Sequence, residues 1–144
     1  MTFDEAMQLT SGNQSAALWL VDYDAFCGLL DDVIDEPGKV SDERLVKEVL
    51  ALLGNLCNPG WARDNAPRLF PLIVAAANTW LDSNRLVKSG DFQERLASDV
   101  LKSQYTEMER VVANMCGGFA AMRQASGQRR FDFDLTRQTR QEGK

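Results

Sequence analysis

Residues 101–122 read LKSQYTEMERVVANMCGGFAAM. Leu101, Tyr105, Met108, Val112, Met115, Phe119 and Met122 fall at alternating steps of four and three, the spacing that gathers side chains on one face of an α-helix. Upstream, Asp91 and Glu94 have capping-box spacing, so a helix is predicted from about Phe92 to Ala125. At 1.5 Å of rise per residue it would be about 50 Å long, which outruns a domain of this size. Either Gly117-Gly118 breaks it or its end meets another subunit.

The segments before it carry the same period. Thr2 and Glu5 form a second capping-box pair, opening a short helix that ends at Gly12. Ala16, Leu20, Tyr23, Cys27, Leu30 and Ile34 then recur at helical steps, flanked by Trp19, Phe26 and Val33, until Pro37-Gly38 stops them. Ser41 caps a third helix with Asp42 and Glu43 in its first turn. Its inward face is Leu45, Val49, Leu52 and Leu56, with Val46 and Leu53 beside them, and it stops at Asn58-Pro59-Gly60. Trp61 to Asn65 reads as a loop, and a fourth helix is predicted from Asn65 or Ala66 to Ser89-Gly90, with Pro67 in its first turn. Its centre, Leu72 to Ala77, is apolar nearly all round and reads as a helix buried between neighbours.

The expected fold is therefore all-α, a helical bundle of four to five helices with a long last helix, residues 1–126 forming a single domain. The expected core is Leu20, Leu30, Val49, Leu52, Ile73, Val74, Leu101, Met108, Val112 and Met115. Residues 127–144 change character: Phe131, Phe133 and Leu135 alternate with Asp132 and Asp134 in a basic, polar stretch. This reads either as a disordered C-terminal tail or as an extended arm that packs on the domain or on a partner.

Composition narrows the function classes. A chain of 144 residues, 44% hydrophobic and 26% charged, has the make-up of one compact domain with one core. Its net charge is −5, and residues 1–48 hold eleven acids against Lys39, Arg44 and Lys47. Affinity for a phosphate backbone depends on Lys and Arg, so nucleic acid is not the expected partner. The longest apolar runs, Ala16 to Val21 and Leu72 to Ala77, fall far short of a membrane span. Met1-Thr2-Phe3-Asp4-Glu5 does not resemble a secretory leader, and a cytoplasmic location is expected. The sequence has no histidine, which excludes Ser-His-Asp and Cys-His nucleophile pairs and imidazole acid–base chemistry. Cys27, Cys57 and Cys116 are odd in number, widely spaced and next to apolar residues, which suits buried thiols in a reducing compartment.

One cluster remains. Asp22, Asp24, Asp31, Asp32, Asp35 and Glu36 lie in the second predicted helix, four of them at its C-terminal end, where the helix dipole disfavours negative charge. Asp24, Asp31 and Asp35 share a face, with Asp32 and Glu36 one row across. Solvent alone can satisfy them, as can a basic partner or a hard cation. In the metal reading, Asp31, Asp32, Asp35 and, from the fourth helix, Asp82 hold Mg2+, and Arg85 faces a substrate phosphate unless it pairs with Asp82 within the helix. The stretch Asp31-Asp32-Val33-Ile34-Asp35 resembles the DDxxD motif of class I isoprenoid synthases, all-helical enzymes that bind magnesium diphosphate with it. The match covers five residues, and Asn78 to Ser83 is a loose echo of their second metal motif. The acidic helices also resemble those of the small all-α nucleoside triphosphate pyrophosphohydrolases, whose ExxE pattern is replaced here by Asp32 to Asp35.

Two functional expectations follow. The first is an acidic helical interaction protein, an adaptor, inhibitor or assembly factor, whose Asp24, Asp31, Asp35 and Glu36, with Phe131 and Phe133 of the tail, meet a protein partner with a basic surface. It needs no cofactor. The alternative is a magnesium-dependent enzyme acting on a diphosphate or nucleotide. Self-association into a homo-oligomer is expected in both cases, because so long a helix leaves part of its apolar stripe uncovered within one chain.

Overall fold

The computed structural model describes residues 1–129 except Pro37 and Gly90. Its regular elements are α1 (Phe3–Leu9), α2 (Gln14–Asp35), α3 (Asp42–Cys57), α4 (Trp61–Leu86), α5 (Phe92–Lys102), a 3-10 turn (Ser103–Thr106) and α6 (Glu107–Arg129). The fold is all-α, as the periodicity predicts, with no strand among the described residues. None of the described helices is long and apolar enough to cross a membrane. Phe131, Phe133 and the rest of the expected tail from residue 130 onward lie outside the described residues.

Local chemistry sets most boundaries. Thr2 accepts from the Glu5 amide while the Glu5 carboxylate accepts from the Thr2 amide, closing the expected capping box on α1. Ser41 accepts from the Arg44 amide, and Asp91 from those of Gln93 and Glu94. The start of α4 departs from expectation: the helix begins at Trp61, so the expected loop at Trp61 to Asn65 is its first turn. The reason is tertiary. Gly60 supplies no capping side chain, but Ser15 Oγ, from the first turn of α2, accepts from the Trp61 amide at 3.1 Å. The Trp61 ring packs 6.3 Å from Trp19, and Ala62 is buried. Pro67 and Pro71 consequently stand inside α4, both exposed, where water can reach the carbonyls they leave unbonded.

Helical backbone runs from Phe92 to Arg129, but in segments. The hydroxyls of Ser103 and Thr106 donate to the carbonyls of Val100 and Ser103, tightening the backbone into the 3-10 turn. Gly118 interrupts α6 at φ 75°, ψ −170°, so the Gly117-Gly118 pair does break the long helix. Beside it, Gly117 lies so close to Ser11 that any Cβ would overlap the serine hydroxyl, which fixes α6 against the end of α1. These two interruptions explain why the seven-residue stripe is not uniformly buried. Met108 and Val112 are in the core, Leu101, Met115 and Met122 are half-buried, and Tyr105 and Phe119 are exposed.

The core centres on α2, where Trp19 stacks on Tyr23 with ring centroids 5.3 Å apart, surrounded by Leu20, Leu52, Leu69 and Val112. Trp19, expected at the flank of the α2 stripe, is fully buried. Helix α5 packs along α4, where Ser98 Oγ donates to the Ser83 carbonyl at 2.8 Å and both small residues are fully buried. That side of α4 takes Leu69, Ile73, Ala76, Trp80 and Ser83 inward. Val74, expected in the core, is 52% exposed because it lies off this stripe, and Phe70 and Leu81 are uncovered with it.

Candidate functional site at the acidic end of α2

Each carboxylate of the acidic cluster has a partner, and several come from distant parts of the chain. Asp22 accepts from Asn55 Nδ2 of α3, and Asp24 pairs with the Met1 ammonium at 2.5 Å. Asp32 pairs with Arg44 Nη1 at 2.6 Å, while Arg44 Nε holds Glu48 at 2.9 Å. Glu36 meets Lys39 at 2.7 Å across the turn. Asp31 and Asp35, one turn apart, share a single cation: Lys102 Nζ, at the end of α5, stands 3.0 Å from the first and 3.5 Å from the second.

Part of the charge missing from the helix end is therefore supplied by the fold. Two carboxylates one turn apart at a negative helix pole repel each other and the dipole, and an ammonium between them offsets both effects. Burial alone would lower the Lys102 pKa, but the hydrogen bond to Asp31 and the charges of Asp31 and Asp35 outweigh it, so the value is raised. Arg44 is held further into its charged range by hydrogen bonds to Glu48 and then Asp32.

The expected metal ligands do not converge. Asp31 and Asp35 face Lys102, Asp32 faces Arg44, and Asp82 on α4 is bonded within its own helix to Arg85 at 3.5 Å and to Asn78 at 3.5 Å. Among the described residues, no group of three or more His, Cys, Asp or Glu stands where it could hold a metal ion. Arg85 is largely exposed in its intrahelical pair with Asp82.

Beside the Lys102 bridge lies a partly open cavity of about 280 Å³ between α2 and α4, with Lys102 and Tyr105 also in its lining. Its walls are mainly apolar, with Phe26, Ile73 and Trp80 among them. Two polar side chains on the wall lack a hydrogen-bond partner: the Tyr23 hydroxyl and the Trp80 indole N–H. The Cys27 thiol lies beside the Tyr23 hydroxyl but is a weak partner, outside hydrogen-bond geometry. Burial, then the proximity of Cys27, pushes the Tyr23 phenol far above its ordinary range, and burial pushes the Cys27 thiol up to about 11. Both groups keep their protons at neutral pH.

Comparison with protein-family models, curated proteins and solved structures finds no match for this chain. The site is read from its own residues. Sequence reasoning located the acidic cluster but not Lys102, since no local pattern links positions 71 residues apart. It also passed over Gly28, although a glycine in the middle of a strongly periodic helix is a signal in itself.

Proposed function

We propose that this chain is a small acidic helical interaction protein, an adaptor, inhibitor or assembly factor that works through protein–protein contacts. The observation that carries this reading is the outer face of α3. Val46, Leu50 and Leu53, at steps of four and three, are 54%, 60% and 50% exposed. A row of half-uncovered aliphatic side chains on a solvent-facing helix is the surface an amphipathic partner helix covers. Covering each residue would contribute about 1 kcal/mol from the area removed from water.

Charge gives the partner a polarity. Asp35 and Glu36 at the end of α2 and Asp42 and Glu43 at the start of α3 are exposed and close in sequence around one turn. A partner helix with a basic end is steered toward that rim. A second copy of the chain is the other candidate for the same face. The magnesium-enzyme alternative has no comparable support, because its carboxylates are divided among Lys102, Arg44 and Arg85.

The test is the double variant Leu50→Glu, Leu53→Glu, first shown to melt at the wild-type temperature. Light scattering across a concentration series and co-purification with tagged full-length protein are then compared. Loss of self-association, or of a specific retained protein, in the variant supports the reading. A wild type that stays monomeric and retains the same proteins as the variant overturns it.

A further inference from the structure

We propose that the cavity between α2 and α4 is a binding site for a small, uncharged, largely apolar aromatic molecule. The volume, about 280 Å³, lies near the lower end of known ligand pockets and suits a two-ring molecule. Aromatic and aliphatic walls with few polar groups are the usual make-up of such pockets. Tyr23 is 3% exposed, and its hydroxyl lacks a normal hydrogen bond; the Trp80 indole N–H is likewise unpartnered. Both atoms are closed off from the open space, so the surface a ligand meets there is the apolar part of the wall.

Gly28 is an independent observation. It lies on the cavity wall, in the interior of α2, where glycine weakens a helix relative to alanine. A Cβ built there would meet nothing within 4 Å. Gly28 is exposed there, and no close approach or unusual backbone angle demands a glycine. Ala76 and Ala77 leave room on the facing helix.

Charge selects for a neutral ligand. Lys102 at the rim is already shared by Asp31 and Asp35, and Asp24 lies on the same wall. An anion would compete with these carboxylates for one ammonium group, and a cation would compete with Lys102 for its own partners.

The test uses the full chain and the neutral fluorophore prodan, a naphthalene bearing a carbonyl whose emission shifts to the blue in apolar surroundings. Saturable one-site binding with a blue shift is expected for the wild type. Filling the cavity with Gly28→Phe should weaken binding at least tenfold; Ala77→Leu, from the facing helix, repeats the test should the first variant fail to fold. Leu50→Glu on the outer face of α3 should leave binding unchanged. Absence of saturable binding, or binding that survives both filling variants in folded protein, overturns the proposal. Prodan binding abolished by Leu50→Glu instead would place the dye on the outer surface and overturn it equally. The cavity variants leave the outer face of α3 untouched, so this proposal and the surface reading fail separately.

Discussion

The ammonium group of Lys102 stands 3.0 Å from the carboxylate of Asp31, 71 positions earlier in the chain. Its second partner, Asp35 at 3.5 Å, lies one helical turn further along α2. One cation thus joins the last turns of α2 to the junction of α5 and the 3-10 turn, at the rim of the cavity. An acidic helix end that looks uncompensated along the chain gains cations when the bundle closes and stays net negative.

Replacing Lys102 with Ala should lower stability by about 1 kcal/mol or less, since the pair is partly solvated and screened. A double-mutant cycle with Asp31→Asn, followed by urea denaturation, measures the coupling, which should shrink as salt is raised. The raised Lys102 pKa means that the bridge contributes fully below the ordinary value of 10.5 and is lost as pH climbs through the folded-state value. The coupling should therefore be intact at pH 7 and vanish in strong alkali.

Alkaline stability should also report on Cys27. Its thiol ionises near 9.0 in the unfolded chain and at about 11 in the folded one, so rising pH removes the proton from the unfolded state first. The folded state is then disfavoured progressively between pH 9 and about 11, by on the order of 2 kcal/mol. Cys27→Ala should show a flatter decline over that interval. On native protein at pH 8, Ellman's reagent should titrate exposed Cys57 well before Cys27.

Three glycines should respond to alanine in opposite directions. Gly28→Ala should stabilise by about 0.5–1 kcal/mol, because a helix-interior site with open space gains only the propensity of alanine. Gly118→Ala should cost about 1–2 kcal/mol at a backbone angle of φ 75°. Gly117→Ala should destabilise by pushing Ser11 and α1 away from α6. Thermal melts of the three variants give the order directly.

Leu50 and Leu52 are near neighbours on α3 with opposite surroundings. Leu52 is buried, so Leu52→Ala should cost about 2–4 kcal/mol, whereas Leu50→Ala should change stability by less than about 0.5 kcal/mol. Loss of stability in both variants would show that the outer face of α3 is covered within the chain.

The helices were legible because their causes are local. Thr2 with Glu5, Ser41, and Asp91 with Glu94 cap their own first turns, and each apolar stripe is a repeat of three and four. The break at Gly117-Gly118 was one of the two outcomes the sequence left open. The start of α4 was not, since its cap, Ser15, belongs to another helix.

What the sequence alone determined is the helical class, most element boundaries and the crowding of acids at the end of α2, because periodicity, capping and dipoles act within a few residues. Which faces are covered was decided in three dimensions. Val74 and Trp19 exchange the roles their local patterns suggest, Lys102 reaches Asp31 and Asp35, and the cavity beside Gly28 opens between helices far apart in the chain. The physical reason is that burial and long-range ion pairing depend on which helices meet, and only the closed bundle brings those surfaces together.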